Sequence, residues 1–308
     1  MGDGLARAMW ERFEPVHSLI YFAPEARREA AGAGLLGFWM GYFAMRAAPL
    51  GPVAAPVVTG CFHVFHPDRV ARALPDAWRH ASPEKVLAAR ERAMDAALTR
   101  VLGTDAVTGS RLAEAADLAW TAASAADTAG RVLGAANQAL DRPEAPHVRL
   151  WQALTTLREH RGDGHVAVLV ALGLGPVDAM VLKAAAGESD PALLRETRKW
   201  DLAAWRAAEA GLRERGLLAG DGTPTAAGAA LRAEVEARTD AAAEQPWTAL
   251  GPDGSARLAA LLEPPARAVL DSGLIPAGNP VGLTGPLWAS RTPAGTGAEN
   301  TPADTGRA

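Results

Sequence analysis

Cysteine is nearly missing from this chain of 308 residues. Cys61 stands alone, which excludes a disulfide framework and any metal site built from several thiolates. Lysine is scarce, and acids outnumber bases to give a formal net charge of -4. That balance argues against a general affinity for polyanions and excludes a polybasic membrane binder. Long apolar runs are missing too. The most apolar stretch, Gly34 to Met45, ends at Arg46 after about 12 residues, whereas a membrane-crossing helix needs roughly 20. No charged segment followed by an apolar one opens the chain, so a cytoplasmic location is expected rather than secretion. Strand-type alternation, fixed-period repeats and a serine nucleophile elbow are not found. Gly173-Leu174-Gly175-Pro176 follows a helical pattern, not a strand, and reads as a turn rather than a phosphate loop.

What is present is alanine, glycine and arginine in quantity, the composition of a high-GC bacterial coding sequence. Apolar residues recur at three- and four-residue spacing, so the expected fold class is all-α. Prolines mark first helical turns at Pro24, Pro67, Pro83, Pro176 and Pro191. Ser82-Pro83-Glu84 opens a helix that Gly103 stops. Further helices are expected over 5–18, 24–31, 34–46, 54–64, 110–126, 130–140 and 146–160. Shorter ones follow over 165–173, 176–186, 190–196 and 201–215. Gly216 to Gly222 then reads as a minimal β-hairpin, and Thr225 as the cap of a helix reaching Arg238. That order is a winged helix-turn-helix pattern. The expected domains are a helical ligand-pocket domain over 1–160, a winged-helix-like domain over 161–272 and a disordered tail over 273–308.

Several segments carry a family resemblance. They are Trp10-Glu11-Arg12-Phe13-Glu14-Pro15-Val16-His17, Tyr21-Phe22-Ala23-Pro24-Glu25-Ala26 and the run from Gly41 to Gly51, joined by Leu157-Arg158-Glu159-His160-Arg161-Gly162-Asp163-Gly164-His165-Val166. On these the chain resembles an actinobacterial family labelled SalK-like, which carries a non-standard helix-turn-helix domain related to the MarR regulators. The resemblance spans about residues 5 to 265. It implies a setting near natural-product or antibiotic biosynthesis and does not name a reaction.

Charge weighs against the nucleic-acid role that such a domain implies. The expected recognition helix, Asp201 to Arg213, is alanine-rich and sets Arg206 and Arg213 against Asp201 and Glu209. The wing, Ala219 to Thr223, has no basic residue. From Val168 to Ala241 there are 9 Lys+Arg and 11 Asp+Glu. Because phosphate neutralisation supplies most DNA affinity, nucleic acid is disfavoured as a partner. If DNA is bound, Arg195, Arg198, Lys199 and Arg206 are the expected contacts.

The richest cluster of polar side chains is Arg158, Glu159, His160, Arg161, Asp163 and His165, read as a loop in which Gly162 and Gly164 allow a sharp turn. His160 at a helix C-terminus would favour imidazolium, and His165 near an N-terminus would favour neutral imidazole. Such a pair suits acid–base work, with His165 as base and His160 as acid. Asp163 would cap the second helix or fix a tautomer. The plainer alternative is a polar joint between domains.

A second cluster places Glu14 and His17 on one helix face among Trp10, Phe13, Tyr21 and Phe22, as a flat aromatic pocket or simply as core. Arg46 ends an apolar helix and requires a carboxylate, either Glu14 or Asp163, or an anionic ligand. The expected ligand-handling set is therefore Glu14, Arg46, Asp163, Tyr21, Phe22 and Trp10, with His17, His160 and His165 as the candidate catalytic groups. His63 and His66 stand at i, i+3 but lack a third ligand, so no metal site is assigned, and no cofactor is named by the sequence. Cys61 reads as an ordinary buried thiol, and His80 and His147 as surface residues.

The leading expectation is a small-molecule-handling protein working as a homodimer on an aromatic or polyketide-like molecule; if it is an enzyme, the histidines carry the acid–base chemistry. The alternative is a MarR-related regulator whose pocket holds an effector. A third class, an assembly partner without a ligand, requires that no cavity adjoin His17 and His165.

Overall fold

Proline opens helix after helix in the computed structural model, which describes residues 4–283 and 285. Pro24, Pro67, Pro83, Pro176 and Pro191 each occupy a first turn, where the missing N–H costs nothing. The first seven helices are α1 Leu5–Phe22, α2 Pro24–Gly32, α3 Gly37–Ala47, α4 Ala55–Cys61, α5 Pro67–Ala71, α6 Ala77–His80 and α7 Pro83–Leu102. Then come α8 Thr104–Thr108, α9 Ser110–Ala125, α10 Val132–Gln138 and α11 Pro146–Ala171. The chain continues with α12 Pro176–Ala185, α13 Pro191–Arg198, α14 Leu202–Glu214 and α15 Ala226–Ala242. It closes with α16 Gln245–Leu250 and α17 Pro252–Asp271. The fold is all-α. Among the described residues the only β-type pairing is one antiparallel bridge, Leu218 to Pro224.

Two hydrophobic cores form. The larger gathers Met9, Phe13, Leu19, Phe43, Met94 and Trp151 from the first eleven helices. It also takes Trp247, Leu258 and Leu262 from α16 and α17, so the last helices return to the first core. Each fully buried large apolar side chain there contributes about 2 kcal/mol. The smaller core holds Leu169, Met180, Leu194, Trp205, Leu212, Leu218 and Val235.

The span 158–165, expected as a loop, is helical. α11 runs unbroken through Gly162 and Gly164, carries Leu150 to Leu157 into the larger core and Leu169 into the smaller, and therefore crosses the expected boundary after residue 160. Glycine there serves a close approach rather than a turn. A Cβ on Gly164 would lie 2.7 Å from Arg131 Nη1, and that guanidinium donates to the carbonyls of His160 and Ala242. Tertiary packing thus overrides the intrinsic cost of a helical glycine, about 1 kcal/mol.

Beyond α17 the described part of the expected disordered tail is organised by Asn279. Its amide donates to the carbonyls of Pro276 and Leu283, and its Oδ1 accepts from the N–H groups of Val281, Gly282 and Leu283. The remainder of that expected tail, residues 286–308, lies outside the described residues. No single helix among the described residues is long and apolar enough to cross a membrane.

Candidate functional site

Two cavities adjoin each other. The first, of about 230 Å³, lies inside the larger core between α1, α2, α3 and α11. The second is a cleft of about 880 Å³ between the two cores. Tyr21, Phe38 and Tyr42 wall both.

Every polar group at the head of the smaller pocket has a partner. Thr155 donates its hydroxyl proton to the carbonyl of Trp151, so it can only accept from His17 Nδ1, 3.1 Å away. His17 therefore carries its proton on Nδ1, and Nε2 accepts from the Tyr21 hydroxyl at 2.9 Å. Burial, reinforced by Arg158, keeps this imidazole neutral, well below its ordinary pKa. Burial likewise pushes the Tyr21 hydroxyl up. Tyr42 accepts from Arg46 Nη1 at 2.9 Å.

Arg46 does find a carboxylate, but it is Glu159 rather than Glu14 or Asp163. Arg46 Nη2 reaches the two Glu159 oxygens at 2.8 and 3.0 Å, and Arg158 Nη1 adds a bond of 2.9 Å. Burial opposes ionisation of Glu159, yet Arg46 and Arg158 together hold its pKa at about 2. In the same pocket Arg90 is buried with no carboxylate partner among the described residues. It donates to Gln152 Oε1 at 2.8 Å and to the Met45 carbonyl at 3.2 Å, and burial lowers its pKa to about 10. Sequence reasoning placed Glu159 in the central polar cluster but not as the partner of Arg46, and it passed over Arg90. Arg90 lies mid-helix in α7, where only the apolar pattern around it signalled burial.

The remaining expected site residues scatter. Glu14 faces the cleft, accepting from Trp10 Nε1 at 3.1 Å and from Ser18 at 3.2 Å. Burial raises its pKa despite Arg158. Trp10 and Phe22 also line the cleft. His165 lines the cleft and pairs through Nδ1 with Thr239 at 2.9 Å. His160 lines neither cavity: it packs against Gly134 of α10, and its Nε2 has no hydrogen-bond partner among the described residues. Asp163 accepts from the Gly134 N–H at 2.8 Å and so caps α10, not a helix of its own segment.

The expected contrast of one charged and one neutral imidazole is not met. Both residues lie inside α11, away from its own ends, and burial lowers both His160 and His165 to about 4. His17, His160 and His165 share no cavity, so the geometry offers no joint acid–base site. His147, expected at the surface, is buried against Asp95 at 2.6 Å. Among the described residues no group of three histidine, cysteine or acidic side chains is placed to hold a metal. Burial lifts the Cys61 thiol to about 11.

The α12–α15 unit is built around Trp205 and Leu212, the buried face of α14. Asp201 caps α14 through the Ala204 N–H at 2.7 Å. A tight turn follows, with Ala219 N–H bonded to the Thr223 carbonyl at 2.9 Å, and Thr225 caps α15 at 3.1 Å. A Cβ on Gly228 would collide with the Leu217 carbonyl, so only glycine lets α15 press against that turn. Residues 6–276 match the helix-turn-helix family. The chain belongs to that family. No curated protein and no solved structure matches it.

Family membership overturns the expectation that nucleic acid is disfavoured. Three of the eleven acids in the charge tally behind it are engaged by arginines of the fold. Glu188 is held by Arg232, Glu236 by Arg7 and Arg232, and Asp240 by Arg7 and Arg161. Arg7 and Arg161 lie outside the tallied stretch. In this helix-turn-helix protein Arg206 is exposed on α14, Arg195 pairs with Glu196 at 3.1 Å, and Lys199 lies 3.8 Å from Asp68. Arg198, expected beside them as a DNA contact, lines the cleft instead.

Proposed function

We propose that this chain is a DNA-binding regulator of the MarR-related kind. In it α12–α15 form a winged helix-turn-helix unit, and the pocket beside His17 takes an aromatic effector. The observation that carries the reading is membership of the helix-turn-helix family over residues 6–276. The order of α12, α13, α14, bridged turn and α15 supports it, because it leaves one face of α14 free, with Ala203, Arg206, Ala207 and Ala210 exposed. Small side chains let that face lie close to a groove, and Arg206 supplies a cation for a phosphate or base edge. The effector role rests on the pocket of about 230 Å³, whose surface is mostly apolar and aromatic.

Fluorescence anisotropy with DNA fragments, enriched from genomic DNA by the immobilised protein, tests the DNA role. Binding is expected to weaken as salt rises, with Arg206→Ala lowering affinity and reducing the salt slope by about 1. No retained fragment at low salt, or an Arg206→Ala variant with unchanged affinity and slope, would refute it.

A further inference from the structure

The outer face of α14 is nearly bare of hydrogen-bonding side chains. Between the Asp201 cap and Gly211 its exposed residues are Leu202, Ala203, Arg206, Ala207 and Ala210. The acids beside that face are spent within the fold. Asp201 Oδ1 accepts from the Ala204 N–H at 2.7 Å. Half-buried Glu209 accepts from Trp205 Nε1 at 3.1 Å and lies 3.6 Å from Arg213. Leu202 is 47% exposed, the one large apolar side chain left so open in the α12–α15 unit. A lone leucine on a surface is commonplace. What sets this one apart is its place: it is the first residue of α14, and at i, i+4 it shares a face with Arg206.

In a helix-turn-helix unit the N-terminal residues of the second helix meet the base edges. The turn between α14 and α15 adds no reader of its own. Exposed Asp221 at its tip accepts from the Thr223 N–H and hydroxyl at 3.0 and 2.7 Å, so the turn offers phosphates a carboxylate that repels them. Readout therefore falls to α14. The major groove shows donors, acceptors and one apolar group, the thymine methyl. A face of one guanidinium and otherwise hydrocarbon lacks the asparagine or glutamine that would pair with adenine. Covering thymine methyls is the base contact that such a face can make.

We infer that α14 selects its DNA chiefly by thymine methyl groups, which Leu202 and Ala203 cover at the start of the helix while Arg206 makes the one long polar contact. This rests on the DNA-binding reading above and adds to it the chemistry by which a site is chosen. Each methyl taken out of water adds affinity without any hydrogen bond, so the preference is for sequence rather than for charge.

Fluorescence anisotropy on the full chain tests it. A genomic fragment retained by the immobilised protein is amplified once with dTTP and once with dUTP, two nucleotides that differ only by that methyl. The uracil form is expected to bind about fourfold more weakly for each methyl covered. Leu202→Ala is expected to weaken the thymine form by about fourfold, to leave the uracil form unchanged and to melt close to the parent, as an exposed position should. Equal binding of the two forms would overturn the inference while leaving the DNA-binding reading in place. A thymine-to-uracil ratio unchanged in Leu202→Ala would also overturn it, because the methyl would then act through the shape of the DNA. Failure to retain any fragment would remove both readings together.

Discussion

The pocket and the cleft share Tyr21, Phe38 and Tyr42 as walls yet differ in how their cations are answered, although Arg90 of the pocket also lacks a carboxylate among the described residues. In the pocket, Arg46 and Arg158 converge on Glu159, and His17 is satisfied at both ring nitrogens. In the cleft, Arg198 and Lys183 have no ion-pair partner among the described residues. The difference separates two uses of an arginine. A cation whose hydrogen bonds are spent on a carboxylate ties distant helices together, whereas one without an acid makes no such tie. Removing the acid in the first case, or the cation in the second, should therefore have effects of very different size.

The largest effect is expected from Glu159→Gln. It strips the counter-charge from two buried guanidinium groups and should cost about 3–5 kcal/mol in urea denaturation followed by circular dichroism. A loss below about 1 kcal/mol would break the comparison, since Arg46 would then need no acid.

Acid should act next. His160 and His165 titrate at about 4 in the folded protein because burial disfavours their charged forms, against an ordinary 6.5. The unfolded chain therefore takes up these protons first, so stability is full above pH 6.5 and falls as pH drops from 6.5 to 4. For His160 the loss is at most about 3 kcal/mol; half-buried His165 adds less. Asp163, raised by burial to about 6, works in the opposite direction and offsets part of it. A urea midpoint that stays flat between pH 7 and pH 4.5 would contradict this balance.

The smallest effect belongs to the cleft. Lys183→Met is expected to change stability by no more than about 0.5 kcal/mol, because no ion pair is lost. A loss comparable to that of Glu159→Gln would erase the distinction between the two cavities.

Much of the architecture was legible from local chemistry. Proline at first turns, Ser82 and Thr225 as caps and Gly103 as a stop all act through one or two residues, and the structure places them accordingly. The need of Arg46 for an acid was legible too, but its partner was not: Glu159 lies 113 positions away, and periodicity gives no signal for such a pairing. Gly162 and Gly164 misled because a glycine that admits Arg131 looks, in sequence, the same as one that turns a chain. Arg198 misled for a related reason. Its neighbours Arg195 and Lys199 suggested a basic surface, and only packing against Phe65 reveals that Arg198 lines the cleft.

α11 has a mechanical consequence. With 26 residues it is a rod of about 39 Å, clamped at one end among Leu150, Trp151 and Leu154 and at the other by Leu169. Its span also carries Glu159, which braces the pocket, and His165, which borders the cleft. The two cavities are therefore braced by one continuous helix, with no joint between the residue that anchors the first and the residue that borders the second.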